Sequence, residues 1–268
     1  MAKKQTTNLP VAYDEELARM AQAYKTSEAA SATGAFISVR GGVMQWRGAP
    51  VAGNKLDVVI LASIFENVYY EGKFDPNTVS SPACYAFAKT QDALKPHELA
   101  PNKQGDDNGL CAACWANAWA SDPEGRRGKA CRNTRRLAVI PAQPLTAEAV
   151  KSAEQAYLKL PVTSVAAYSA HVMQLAEVLK RPPFGVVTTI SVLPDPKNQF
   201  RVTFNAAAEI KDRELLAALL TRAKTAEAQI TFSYPEFNEA QPAAKTPRHR
   251  VAPPAKRAAP PAAKRAKY

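Results

Sequence analysis

The sequence predicts an α+β protein, mainly antiparallel β, with peripheral helices and a long loop insertion near its middle. Segments rich in β-branched and aromatic residues alternate with Gly and Pro turn signals. Four stretches show helical spacing of apolar residues. One long irregular segment interrupts the pattern and holds the cysteines. With 268 residues, 46% of them hydrophobic, the chain is long enough to bury a substantial core.

The N-terminal half begins with an amphipathic helix and continues with strands. Helical spacing over residues 11–30 places Leu17, Met20 and Tyr24 on one side. Three antiparallel strands are then predicted in AFISVR, VMQWRGAPV and the long run KLDVVILASIFENVYYEGKF. From Ser80 to Gly128, repeated prolines and the polar stretch NKQGDDNG predict a loop insertion, and loops of that length are rare unless something holds them.

Regular structure resumes in the C-terminal half. RRLAVIPA predicts a strand, and TAEAVKSAEQAYLKL predicts a helix that opens at Thr146. SVAAYSAHVMQLAEVLK predicts a second helix. Two alternating strands joined across PDPKN predict a hairpin. The segment DRELLAALLTRAKTAEAQI predicts a last helix capped by Asp212.

The positive charge is concentrated at the C-terminus. The formal net charge is +11, and the segment from Lys245 onward contributes eight cations and no acidic residue. We therefore expect a flexible N-terminus over residues 1–10, one domain over 11–235 with its insertion at about 80–131, and a disordered basic tail over 236–268. Such a tail favours a polyanionic partner. A merely solubilising tail is the alternative.

The sequence shows no membrane or export signal. No window approaches the roughly 18 consecutive apolar residues of a membrane span, and the basic start MAKKQTTNLP lacks the apolar segment of a secretory signal. We expect a cytoplasmic protein that does not contact a membrane.

The four cysteines, Cys84, Cys111, Cys114 and Cys131, all lie in or beside the insertion. Cys111 and Cys114 form a C-x-x-C knuckle, a spacing typical of zinc ligands, and four thiolates make a closed structural Zn²⁺ site. His97 could replace Cys84 as the fourth ligand. Two disulfides, a redox-active C-x-x-C or thiols without a metal are the alternatives, and a reducing compartment disfavours the disulfides.

Cations and aromatic residues lie beside this predicted metal site. Six cations between 126 and 136 exceed what a centre of four thiolates and one Zn²⁺ needs for neutrality, so we expect some of them to face phosphates. Trp115, Trp119 and Tyr70 offer rings on which bases of a single strand could stack. Packing in the core, or covering the metal site, is an equally open role for each ring.

Signals for catalysis are weak. The chain has three histidines, His97, His171 and His249, and their placement suggests no catalytic triad. We find neither a phosphate-binding glycine loop nor the motif of a zinc deaminase. The chain is therefore predicted not to be an enzyme.

Several motifs resemble a family of tailed-bacteriophage proteins that bind single-stranded DNA. The resemblance covers about residues 35–232 through YYEGKFDP, SPACYAF, CAACWANAWAS, GRRGKACRNTRRLAVIP and PPFGVVTTISV. It implies an OB-like barrel with a zinc loop that binds strands exposed during phage replication or recombination. On this chain the matching positions are the four cysteines together with Asn117, Trp119, Lys129, Arg132, Arg135 and Arg136. The basic C-terminus departs from the acidic tail that is common in such proteins.

The function predicted from the sequence is non-enzymatic, largely sequence-independent binding of single-stranded DNA in the host cytoplasm, with replication or recombination proteins as further partners. The predicted contacts are Arg126, Arg127, Lys129, Arg132, Arg135, Arg136, Trp115, Trp119, Tyr70, Lys256, Arg257, Lys264 and Arg265. The alternatives are a structural or packaging protein that binds duplex DNA through the tail, and a metal-dependent nuclease or polymerase accessory factor.

Overall fold

The structure is a computed structural model that describes residues 15–21, 35–72, 81–105, 109–123, 125 and 127–234. The predicted flexible N-terminus at 1–10 and basic tail at 236–268 lie outside the described residues. In the described part of the chain, no helix has the length and apolar character to cross a membrane.

One sheet of nine strands forms the centre of the described chain. Its strand order is β3-β2-β1-β7-β6-β4-β8-β9, and β5 pairs with β4 outside this path. The strands are β1 Ala35–Arg40, β2 Val43–Trp46, β3 Ala49–Pro50, β4 Lys55–Tyr69, β5 Cys84–Ala88, β6 Cys131–Pro141, β7 Ala156–Lys159, β8 Val186–Asp195 and β9 Gln199–Glu209.

The sheet is mixed and curled, which confirms the α+β class but corrects the mainly antiparallel description. The first strand, β1, runs parallel to β7, whereas the other pairs given by the structure are antiparallel. The long central strand β4 pairs with β6 along one edge. On its other edge it pairs with β8 near its start and with β5 near its end. A register shift between Ile60 and Ala62 reverses the alternation of side chains in β4.

Helices cover both faces of the sheet. Residues 15–21 are helical and are called α1. The later helices are α2 Ala147–Ser152, α3 Val165–Gln174 and α4 Arg213–Gln229. Thr146 accepts a hydrogen bond from the backbone N–H of Ala149 at 3.1 Å, and Asp212 accepts one from Leu215 at 2.8 Å. Both side chains satisfy N–H groups that the first helical turn leaves without a partner, so both predicted caps are confirmed.

Each sheet face has its own apolar core. On the face covered by α3, called the α3 face, Tyr168 packs with residues such as Leu137 and Leu158. On the opposite α4 face, Leu219 packs with residues such as Val59 and Ala138. Because alternate residues of a strand point to opposite faces, this assignment also places the functional side chains further along each strand.

Two predicted elements were wrong. The predicted helix that opens at Thr146 ends at Ser152, and Ala156–Lys159 is strand β7 between β1 and β6. Burial on both faces and two ladders of hydrogen bonds outweigh the local helical preference. The predicted loop insertion contains β5, which pairs with the end of β4, and a bridge between Ala86 and Pro96.

Candidate functional site

The four cysteines meet at one end of the sheet. Tyr69, the last residue of β4, is paired with Cys84 of β5 on one side and with Cys131 of β6 on the other. The C-x-x-C turn covers the α3 face there, and all four cysteines line one small cavity of about 10 Å³. The structure describes every cysteine of the chain, buries each one and joins none of them in a disulfide.

Polar groups support the sulfur atoms in this cavity. The backbone N–H of Gln104 donates to Cys84 Sγ at 3.3 Å, and the backbone N–H of Val68 donates to Cys131. Asn67 also lines the cavity, and within the described residues its buried Nδ2 has no hydrogen-bond partner. N–H groups directed at sulfur favour the negative thiolate form, which is the form that binds a metal.

Burial favours the neutral thiol form at two of the cysteines, Cys84 and Cys131. Burial raises the pKa of Cys131 to about 12, and the three neighbouring cysteines add to this increase. Burial likewise raises the pKa of Cys84. The low dielectric of the cavity disfavours a thiolate that has no cation beside it.

The side chains around the cavity match zinc in the type of donor atom, but their arrangement in this structure does not form a metal site. Four thiols around one small cavity are the ligand set of a closed structural zinc site. Among the described residues, however, no group of three His, Cys, Asp or Glu side chains is close enough to hold a metal ion. Zinc binding would therefore have to draw the sulfur atoms together.

The structure does not bring the alternative ligand His97 to the cysteines. Its ring stacks on Tyr85 with 5.0 Å between the ring centroids, and its Nδ1 accepts a hydrogen bond from the backbone N–H of Leu99 at 3.1 Å. His97 is not among the residues that line the cavity.

Two exposed tryptophans lie on the loop that carries the knuckle. Trp115 is 52% exposed and Trp119 is 77% exposed. Trp115 meets Tyr69 edge-on with 5.5 Å between the ring centroids, and its Nε1 donates to Gln104 at 2.8 Å. Trp115 therefore has a fixed orientation, while much of its surface still faces solvent.

One cation contacts a tryptophan ring, and a second is exposed on the same loop. Lys129 Nζ lies 5.5 Å from the centroid of the Trp119 ring and donates to Asn117 Oδ1 at 3.0 Å. Arg127 is exposed on the same loop. We call Trp115, Trp119, Arg127 and Lys129 the tryptophan ledge. It combines exposed rings with positive charge, as a site for single-stranded nucleic acid requires.

The structure separates the other predicted contacts. Arg132 and Tyr70 lie on the α4 face, where the Arg132 guanidinium carbon is 5.7 Å from the centroid of the Tyr70 ring. Arg135 lies half-buried on the α3 face, with its guanidinium carbon 3.6 Å from the centroid of the Phe65 ring. Predicted contacts outside the described residues are Arg126, Lys256, Arg257, Lys264 and Arg265.

The prediction that Arg136 contacts phosphate was wrong. Its side chain is only 3% exposed and forms two hydrogen bonds with the Glu66 carboxylate, at 3.0 and 3.1 Å. Its third nitrogen donates to the backbone carbonyls of Ile230 and Phe232, both at 3.1 Å. Arg136 therefore fastens the segment after α4 to the sheet.

Sequence reasoning missed the buried group around Glu66. Its carboxylate, which is not exposed at all, contacts Arg136, Lys159 and the hydroxyl of Tyr234. Burial raises the pKa of Glu66, but the charges of Lys159 and Arg136 outweigh burial and hold the pKa below its ordinary value. An acidic residue inside the apolar run of β4 was the available signal, because a buried carboxylate requires a partner.

Comparison with known proteins gives no relative: no protein family, curated protein or solved structure matches this chain.

Proposed function

We propose that this protein binds single-stranded DNA through the tryptophan ledge, with little sequence preference and without catalysing a reaction. The observation that carries the proposal is the exposure of Trp115 and Trp119, with Lys129 beside the Trp119 ring and Arg127 exposed on the same loop. Every base offers a ring face for stacking, and the cations can follow the phosphates, so such a surface tolerates any sequence.

The exposure of the rings argues against a purely structural role. A tryptophan that only shielded the cysteines would bury most of its surface, whereas Trp119 leaves 77% of it in solvent. Large exposed aromatic side chains at the core of a surface patch are typical of binding sites. Trp115 is oriented by Tyr69 and Gln104, so its ring loses little conformational freedom when a base stacks on it.

In this proposal zinc bound by the four cysteines holds the ledge in shape. Trp115 follows Cys114 directly in the short helical turn Trp115–Asn117, and Lys129 precedes Cys131 by two residues. Fixing the cysteines therefore fixes both ends of the ledge. The supporting observations are the shared cavity and the N–H groups that face the sulfur atoms.

The proposal extends to the OB-like barrel and to a role in phage replication or recombination. The curl of the sheet around β4 is compatible with a barrel. The basic tail would add salt-dependent affinity for the same strand, because each neutralised phosphate releases counterions.

Replacing Trp119 with alanine is expected to weaken binding of a labelled (dT)16 oligonucleotide by about 5- to 150-fold, since one stacked base contributes roughly 1–3 kcal/mol. Trp119→Phe should restore most of the affinity because the ring remains. Fluorescence anisotropy measures both. Leu220→Ala, an exposed apolar position on α4, is the matched control and should bind normally.

Competition with duplex DNA of the same length tests the main alternative. A single strand should displace the labelled oligonucleotide well before duplex does, because stacked bases in a duplex cannot reach the rings. Preference for duplex would instead support the packaging function. Clean cleavage of the oligonucleotide with Mg²⁺ or Mn²⁺ would support the nuclease.

Truncation after Ala244 removes the eight tail cations that start at Lys245. We expect weaker binding and a smaller salt dependence, because the slope of log K against log salt falls by about 0.7 for each phosphate of a single strand that the protein no longer neutralises. Binding at several salt concentrations measures the slope. Thermal unfolding should be unchanged, and an unchanged slope would contradict the proposed role of the tail.

A further inference from the structure

A second group of cations and rings lies at the same end of the sheet, on the α4 face. We call Tyr70, Arg132, Lys159 and Tyr234 the tyrosine patch. Arg132 is exposed beside the Tyr70 ring. Lys159, whose side chain is 34% exposed, donates to the Tyr234 hydroxyl at 2.8 Å and lies 5.3 Å from the centroid of that ring.

This patch carries excess positive charge. One buried carboxylate, Glu66, faces Arg136 and Lys159, and Arg132 is close enough to act electrostatically on Lys159. Glu66 neutralises one of these three cations. The remaining charge lies nearest the surface at Arg132 and Lys159, where an anion can approach.

The tyrosine patch and the tryptophan ledge lie on opposite sides of the end of one strand. Tyr69 and Tyr70 are consecutive residues and point to opposite faces of the sheet. Tyr69 contacts Trp115 of the ledge, and Tyr70 contacts Arg132 of the patch. The two surfaces therefore lie on opposite faces of the sheet at the same end of β4.

We propose that the tyrosine patch is a second phosphate-binding site, and that a single strand held by the ledge continues around the end of β4 to reach it. This inference rests on the proposed function. Arg132 and Lys159 contact phosphates of the continuing strand, and Tyr70 offers a ring beside them. Glu66 and Arg136 act as positioning residues, because they fix Lys159 and the segment that carries Tyr234.

The test compares oligonucleotides of about 4 and 16 nucleotides, the two ends of the range that one OB-type domain covers. The short one fits the ledge alone, whereas the long one also reaches the patch. Arg132→Gln is expected to lower affinity for (dT)16 about fivefold, to reduce its salt slope by about 0.7, and to leave (dT)4 unchanged. Lys159→Gln should act in the same direction.

Arg201→Gln is the matched control, because Arg201 is an exposed arginine on β9, away from both surfaces. Circular dichroism and thermal unfolding check that each variant folds, and Arg132, being exposed, should tolerate the change. Equal loss for both oligonucleotides, or no loss for either, would overturn the second site. If the unaltered protein binds neither oligonucleotide, or if Trp119→Ala leaves both affinities unchanged, the proposed function itself fails.

Discussion

If the four cysteines bind zinc as proposed, replacing Cys114 with serine is expected to release the metal and to disorder the loop that carries the tryptophan ledge. Structural zinc sites contribute binding free energy on the order of 10 kcal/mol, and that energy becomes folding energy for the segment that holds the ligands. Cys114 is the cysteine next to Trp115, so the environment of that ring should change most. Metal analysis of the purified protein should give one zinc per chain before the change and none after it.

Two further measurements separate metal loss from ordinary destabilisation. Cobalt substituted for zinc should show the absorption of a tetrahedral thiolate site in the unaltered protein only. Near-ultraviolet circular dichroism should lose the part of its tryptophan signal that comes from Trp115 and Trp119 in Cys114→Ser and, equally, after chelation, whereas the contribution of Trp46, which packs against the core, should remain. The control is Ala113→Ser, which adds the same hydroxyl at the exposed neighbouring position. The zinc proposal would be contradicted if the unaltered protein contained no metal and if Cys114→Ser left the circular dichroism signal of the loop unchanged.

Replacing Glu66 with glutamine is expected to lower the free energy of unfolding by about 3–5 kcal/mol, because Arg136 would be left buried without a counter-charge. The two side chains are 0% and 3% exposed, so solvent cannot replace the lost partner. Chemical denaturation measures the change. The double variant Glu66→Leu with Arg136→Met removes both charges and should recover much of the loss. A single-variant loss below about 1 kcal/mol would contradict this role.

The same pair predicts a dependence of stability on acid. Because the pKa of Glu66 lies below its ordinary value of 4.5 in the folded protein, the ionised carboxylate stabilises the fold at pH values above the unfolded pKa. That contribution is lost as the pH falls through the folded pKa. Stability measured from pH 7 down to pH 3 should therefore fall less steeply in Glu66→Gln than in the unaltered protein. Parallel curves would contradict the linkage.

Local sequence signals were sufficient to predict the elements in which the spacing of apolar residues and the capping or turn residues indicate the same structure. Helix α4 follows the spacing that begins at Asp212, and the hairpin of β8 and β9 follows two alternating strands around a turn. Strand β7 was missed because its sequence continues a helical pattern, and only its place between β1 and β6 makes it a strand. Strand β5 was hidden in a proline-rich segment and depends on the free edge at the end of β4.

The candidate site, too, was predicted from the sequence only in part. Clustering and spacing of the cysteines indicated a shared centre, and the structure places all four around one cavity. The cations were predicted as one group because they are close in sequence. Because side chains alternate along β6, Arg132 and Arg136 point to one face of the sheet and Arg135 points to the other. Arg136 is buried there and pairs with Glu66.

By itself the sequence determined which chemistry this protein carries: four thiols in one segment, rings beside cations, and a basic C-terminus. These properties are local, since they depend on composition and spacing alone. Only the tertiary structure decided which of those groups face solvent and which face one another. Strand register and burial depend on partners that are distant in the chain. For that reason only the folded structure shows that Trp119 lies at the surface and that Arg136 lies in the core.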